Sequence, residues 1–471
     1  MNTTTSLHRW ILLLIFCGGY THLLSQAFYS TTGMALGKLR AKQAIIPQPE
    51  EVVVEEYMNY HTHMIPMPEQ GEAVHMDLQW GYPDLDEPVL MVGITTPLLS
   101  NMEEAAPLNL SLVIDRSGSM SGDRINNAKK ALRKLTRSLR PTDVVSLIAF
   151  DHESFVMHPA QLVGDGEALF QAINRLEVRG STDLNRGILT GYRELLKYYD
   201  ASRTNRLLIL TDAITNTGVV DPNHIIGNSK EFEHTYEVDC AMICLGSNFQ
   251  HELAREFTKS GRHSFHFVDD EEDLQKVFVD EVQGLLAPVA TDPVLEIQFD
   301  PRLEIETFYG YEPIIQGNHI RLPLNQMNHG LTQVIMIKFH QKSGFPRSSP
   351  SVEANLHYFD VKKGKKHHLT ASQALPHSHH HSALSPHLEH HKSYAIAVMA
   401  QGLKDMAIAH HNGQSSKAQA IVQETLDNHH RMISIGQVAE DADVSRVESI
   451  LSSYAEKMNQ HLSSEEYLSD Y

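Results

Sequence analysis

Several oxygen-bearing side chains stand where apolar runs end. Asp115-Arg116-Ser117-Gly118-Ser119 closes the run Leu108–Asp115 and sets one carboxylate and two hydroxyls at alternate positions around a glycine turn. Gly180-Ser181-Thr182-Asp183 offers another hydroxyl ahead of a helix-like stretch, and Leu210-Thr211-Asp212 ends a further apolar run with a second carboxylate. Parallel sheets place ligands beyond the carboxyl ends of their strands, where the strand order reverses. Asp115, Ser117, Ser119, Thr182 and Asp212 are therefore expected on one edge, as oxygen-only ligands. Such a set suits a small hard cation, Mg²⁺, with Mn²⁺ or Ca²⁺ as substitutes.

The elements that must hold these residues run from Leu108 to about Leu286. Asp123–Leu139 carries Ile125, Ala128, Leu132, Leu135 and Leu139 at helical spacing. Val144–Phe150, Arg206–Thr211, Asp239–Gly246 and Ser264–Val268 are predicted strands, with Ser154–His158 a short antiparallel partner. Gly166–Leu176, Leu184–Tyr199, Phe249–Lys259 and Glu271–Leu286 are predicted helices. Strands alternating with helices imply an α/β domain over 108–288 with a doubly wound, mainly parallel sheet covered on both faces. On either side the pattern changes to period two. Val74, Met76 and Leu78, then Val89–Ile94, precede the α/β block; Val294–Phe299, Leu303–Phe308, His319–Leu322, Val334–Phe339 and Val352–Val361 follow it. Such strands bury their faces by pairing with one another. An antiparallel β-sandwich made of 73–107 and 289–361 is expected, with the α/β domain inserted and its entry and exit close together.

The chain has 471 residues, a formal net charge of −19, 30 histidines and 3 cysteines. An acidic balance argues against a nucleic-acid partner, whose phosphates are bound by Lys and Arg. Residues 1–27 resemble an export signal: an apolar run from Trp10 to Cys17 behind Arg9, then the small-x-small pattern Ser25-Gln26-Ala27. Leu14–Gly18 also resembles a lipid-attachment motif at Cys17, so membrane attachment is expected only through the N-terminus. Residues 28–72 are expected to be a linker. Cys240 and Cys244 lie four apart on a strand, roughly 13 Å and beyond disulfide reach, and are expected to be buried thiols.

Residues 362–386 are expected to be an exposed, His-rich linker, and 387–471 a helical tail built from Leu388–Ala409, Ser416–Met432 and Val444–His461. His377, His379, His380 and His381 precede His387, His390 and His391. The last three fall on one helical face if a helix starts near Pro386, where they could bind Zn²⁺, Ni²⁺ or Cu²⁺. A solvated low-complexity linker is the preferred reading of the tract.

At the residues Asp115-x-Ser117-x-Ser119, Thr182 and Asp212, the chain resembles a von Willebrand factor type A domain and its metal-ion-dependent adhesion site. More loosely, Glu55–Tyr60 and the flanking strands resemble bacterial exported members of the calcium-activated chloride channel-like group. The resemblance implies that Ser117, Ser119 and Thr182 contact the ion directly and that the two aspartates act largely through water. It also implies cation-dependent protein binding in the cell envelope or periplasm, without catalysis, a partner's Asp or Glu completing the metal shell. A metal-handling envelope protein acting through the His tract is the alternative expectation, and a metal-assisted hydrolase a third. Against the third, no Gly-x-Ser-x-Gly elbow surrounds Ser117 or Ser119.

Overall fold

The structure, a computed structural model, describes residues 32–469 apart from 44, 62, 84–86, 99–106, 213–215, 237, 246–262, 269–273, 275–276, 278–287, 343–348, 377–387 and 437–440. The export segment with Cys17, the helix expected over Phe249–Lys259, most of the one over Glu271–Leu286, and His377, His379, His380, His381 and His387 lie outside the described residues.

The segment read as a linker is partly helical. α1 (Thr32–Gln43) and α2 (Val54–Asn59) pack together, and Gly33 N donates to the buried Glu56 Oε2 at 2.5 Å. α1 shows no single apolar stripe because it serves two cores. Leu36 enters the α/β core beside Phe267 and Ile225, whereas Met34 and Ala41 enter a helical core.

β1 (His75–Gly81) and β2 (Val89–Thr95) form an antiparallel hairpin. The inserted domain follows: β3 (Leu108–Asp115), α3 (Asp123–Ser138), β4 (Val144–Phe150), β5 (Ser154–Leu162), α4 (Glu167–Asn174), α5 (Leu184–Leu196), β6 (Thr204–Thr211), α6 (Pro222–Tyr236), β7 (Asp239–Leu245) and β8 (His263–Val268). Its sheet runs β5-β4-β3-β6-β7-β8, parallel except for the edge strand β5. Ala128, Leu132 and Leu135 of α3 and Leu169 of α4 bury against Leu110, Leu112 and Ile114; Ile188 and Tyr192 of α5 and Ile225 of α6 cover Val113, Ile148 and Met242 on the other face. This is the doubly wound arrangement expected. Cys240 and Cys244 are buried thiols on β7, not joined in a disulfide.

The flanking strands make two further sheets. β9 (Pro288–Phe299), β10 (Leu303–Phe308), β11 (Ile314–Gln316), β12 (His319–Pro323), β13 (Met327–Asn328), β14 (Thr332–Gln341), β15 (Ser351–Asp360) and β16 (Lys365–Ala374) assemble as β1-β2-β14-β10 and β11-β12-β9-β15-β16, β13 also pairing with β9. Strands from both flanks thus share one sheet, β2 registering with β14 through Val92↔Ile335. The segment read as a His-rich linker is in part strand β16. Its lysines and histidines lack an apolar alternation, yet its backbone completes a full ladder with β15. Entry to and exit from the inserted domain meet at Asn328: its carbonyl accepts from Thr96 Oγ1 at 2.5 Å, and it registers with Pro288.

α7 (Leu388–His411), α8 (Ser415–Gly436) and α9 (Ala442–Ser469) complete the chain. They join α1 and α2 on the outer face of the β1-β2-β14-β10 sheet, so both faces of that sheet are buried. Leu90, Val92, Ile335 and Ile337 face the other sheet, and Val89, Met91, Val334 and Met336 face the helices.

α5 approaches the α/β sheet through Gly191, where an added Cβ would fall inside contact distance of Val113 and Leu207 side chains. Gly191→Ala is expected to destabilise the protein by about 1–3 kcal/mol through overpacking, read as a lower urea midpoint. An unchanged midpoint would contradict this packing.

Candidate metal site

The site begins with a carboxylate that the strand carries into the interior. Asp115 ends β3, the central strand, and is fully buried. Ser117 N donates to its Oδ1 at 2.8 Å and Thr211 Oγ1 to its Oδ2 at 2.6 Å. Burial pushes its carboxyl up to about 6. The Thr211 and Ser117 hydrogen bonds oppose that rise, and the Asp212 charge adds to it. The same buried environment, with Asp212 and Asp115 nearby, drives the Cys244 thiol well above its ordinary value.

With both Asp115 oxygens engaged, the chain turns back on itself. Ser117 Oγ lies 3.0 Å from Ser119 Oγ. Gly118 N donates to Gly180 O at 3.1 Å, which brings the loop before α5 against the serines. Arg124, in the first turn of α3, bridges Ser119 O at 3.0 Å and Asp212 Oδ2 at 3.2 Å. Asn216 Oδ1 accepts from Thr182 N at 2.8 Å and holds that residue's backbone. All five expected residues therefore converge at the carboxyl edge of the sheet, and Ser119, Gly118 and Gly180 are exposed there.

Among the described residues, two buried oxygens at this edge have no hydrogen-bond partner: Thr182 Oγ1 and Asp212 Oδ1. An orphaned buried polar atom costs about 1–3 kcal/mol. Together with the paired serine hydroxyls they form an oxygen-only donor set that fits a hard divalent cation.

A second set of salt-bridged residues braces the site. Asp151 Oδ2 takes Arg116 Nη2 at 2.8 Å and Arg179 Nε at 3.3 Å, while its backbone carbonyl accepts from Asp183 N at 2.8 Å. Both guanidinium groups lie over the Phe155 ring. Asp151, His152 and Glu153 bring ligand-type atoms within 4.8 Å of one another, but the two arginines already neutralise the buried carboxylate, which makes this a brace.

Thr211, Arg124 and Asn216 were not singled out by the sequence reading. Thr211 adjoins Asp212, and a hydroxyl one residue before a strand-end carboxylate is the signal that could have found it. Arg124 and Asn216 leave no such mark. Of the three histidines expected on one helical face, His387 lies outside the described residues and His390 and His391 fall on the first turn of α7. α7 begins at Leu388, so His390 turns inward, where it is buried against Gly81 with Nε2 3.0 Å from Val89 O; His391 is half-buried, and the two rings are edge to face.

A doubly wound sheet carrying this oxygen cluster at its switch point defines the class. Residues 110–214 match the family model of the von Willebrand factor type A domain, and the chain carries that domain. Among relatives, YfbK of Escherichia coli (strain K12) is 26% identical over 270 residues, covering 55% of this chain and 47% of that one. Inter alpha-trypsin inhibitor heavy chain 4 of Mus musculus is 26% identical over 225 residues, covering 44% and 24%. A solved von Willebrand factor type A structure from Catenulispora acidiphila covers 81% of this chain and 97% of its own at 12% identity, with a TM-score of 0.43. The chain spans about half the length of the bacterial curated relatives it matches.

In chelator, the Asp115 carboxyl ionises near 6 when folded and near 3.8 when unfolded, so the folded state holds its proton more tightly. This contribution favours folding below about pH 4 and is lost as pH rises through 6. The stability of Asp115→Asn relative to the parent is therefore expected to move in the variant's favour by about 2.4 kcal/mol between pH 4 and pH 7. Urea titrations at both pH values check it, and a pH-independent difference would count against a charged Asp115 in the buried site.

Proposed function

We propose that the protein binds another protein in a divalent-cation-dependent way in the cell envelope, and that it is not an enzyme. The observation that carries this reading is the pair of unpartnered buried oxygens on Thr182 and Asp212 beside the Ser117–Ser119 pair, at an edge open to solvent. In this reading Ser117, Ser119 and Thr182 present neutral hydroxyls and Asp212 presents Oδ1. Asp115 stands one layer back, holding the Ser117 backbone and the Thr211 hydroxyl. Mg²⁺, or Mn²⁺ or Ca²⁺ in its place, bound among mostly neutral ligands stays electron-poor and supplies an attraction for an Asp or Glu carboxylate of the partner. Arg124 neutralises the second Asp212 oxygen, which lowers the negative charge a partner must approach.

The envelope location rests on the export-type N-terminus. No helix among the described residues is long and apolar enough to cross a membrane.

Calorimetric titration with Mg²⁺ and Mn²⁺ tests the reading. Thr182→Ala and Asp115→Ala are expected to weaken binding by roughly tenfold or more, about 1.4 kcal/mol. Capture of a protein from envelope extract is expected to fail in chelator and return with added Mg²⁺. Unchanged metal affinity in both variants, or capture indifferent to chelator, would overturn it.

A further inference from the structure

α3 begins with a residue that its own helix disfavours. The N-terminus of a helix is the positive end of its dipole, where a carboxylate is stabilised and a cation is not. Asp123, the first residue of α3, fits that rule, and Arg124, the second, breaks it. Gly122 ahead of them supplies no side-chain cap to offset the misplaced charge. Arg124 is held by contacts from outside the helix instead. Its Nη1 donates both to Ser119 O at 3.0 Å and to Asp212 Oδ2 at 3.2 Å. The arginine side chain is 35% exposed and that of Asp212 1% exposed, so the guanidinium reaches the buried carboxylate from the solvent side of the rim. Asp212 thus has one oxygen engaged by a cation of the chain, while its other oxygen, Oδ1, has no hydrogen-bond partner among the described residues.

The charges in direct contact with the oxygen cluster decide what this arginine does. Asp115 and Asp212 bring two negative charges at neutral pH, and Arg124 brings one positive charge. The neighbouring charges cancel in pairs, Arg116 and Arg179 against Asp151 and Glu153, and Arg186 against Asp183. The two aspartates alone would balance a divalent cation completely. With Arg124 beside them, the same filled cluster keeps one positive charge. The guanidinium therefore repels a divalent cation entering the cluster, and the charge it leaves over attracts an anion afterwards. The two effects have opposite signs, so they can be told apart.

We propose that Arg124 is a specificity-determining residue of the oxygen cluster: it loosens the hold on the divalent cation and keeps the filled cluster cationic, so that the cluster takes a carboxylate from its partner. This inference rests on the cation-dependent binding role proposed above for the same residues.

Mg²⁺ calorimetry on the full chain reads the first effect. Water-proton relaxation of the Mn²⁺-loaded chain, titrated with acetate as the carboxylate probe, reads the second. Arg124→Gln is expected to bind Mg²⁺ roughly fivefold to tenfold more tightly and acetate several-fold more weakly. Arg124→Lys, which keeps the charge, is expected to return both affinities toward those of the parent. Because Arg124 is part-exposed, the differences are expected to shrink in about 1 M salt. A residue that only shaped the loop would lower both affinities together when replaced by Gln, and Lys would not restore them. That joint loss, an unchanged Mg²⁺ affinity, or tighter Mg²⁺ with unchanged acetate binding would overturn this inference and leave the metal site standing. Absence of Mg²⁺ binding by the parent chain would overturn the reading of the site itself, and this inference with it.

Discussion

A carboxylate carried out of water at the end of a central strand is the constraint around which the α/β domain is arranged. Asp115 has no solvent, and its two oxygens are satisfied by groups from two places, the backbone just beyond it and the end of β6. Accepting from Ser117 N forces the chain to reverse immediately. That reversal puts Ser117 and Ser119 side by side and exposes Gly118 N to the loop before α5. The hydrogen bonds Gly118–Gly180, Arg179–Arg116 and Asp183–Asp151 then tie three loops into one rim. Buried polar networks of this kind rigidify a site when every member is satisfied. Among the described residues, the members that stay without a hydrogen-bond partner here, Thr182 Oγ1 and Asp212 Oδ1, both lie on this rim.

The remainder of the chain solves a different problem, that of a sheet with two apolar faces. β2 is buried at every position and β14 carries the unbroken apolar run Val334–Ile337, so neither face can meet water there. One face takes the second sheet of the sandwich. The other takes helices drawn from both ends of the chain, α1 and α2 from the beginning and α7 to α9 from the end. The helical region is therefore no appended tail: it closes a layer that the sandwich leaves open. Glu389, at the start of α7, fastens the two ends together, accepting from Met64 N at 2.9 Å and facing His63 Nδ1 at 2.7 Å.

Much of this was legible in the sequence wherever a residue's environment followed from its near neighbours. The stripe in α3 and the period-two strands announce their partners because each has one buried face or two. Asp115, Ser117 and Ser119 are legible as contiguous residues; Thr182 and Asp212 join them only once the strand order is fixed. What escaped was set by distant contacts. α1 divides its apolar residues between two cores and shows no periodicity; α6, with Gly227 and scattered polar residues, has little either. β16 alternates between exposed and half-exposed positions, so its composition resembles a linker even though its backbone ladder is complete. His390 is a further case: which way its helical face turns is set by the sheet it packs on, where its Nε2 lies 3.0 Å from Val89 O.

The meeting of entry and exit at Asn328 has a mechanical side. Thr96 leaves β2, in one layer of the sandwich, and Pro288 begins β9, in the other. Tension applied at the edge of the inserted domain is thus delivered to both layers at one point. β2 is gripped along its length by β1 and β14, and β9 by β12 and β15. Central strands held on both sides give way only when many ladder bonds break together. The inserted domain is in effect mounted on two gripped strands with a common foot, a support that resists pulling better than a hinge on a single edge strand.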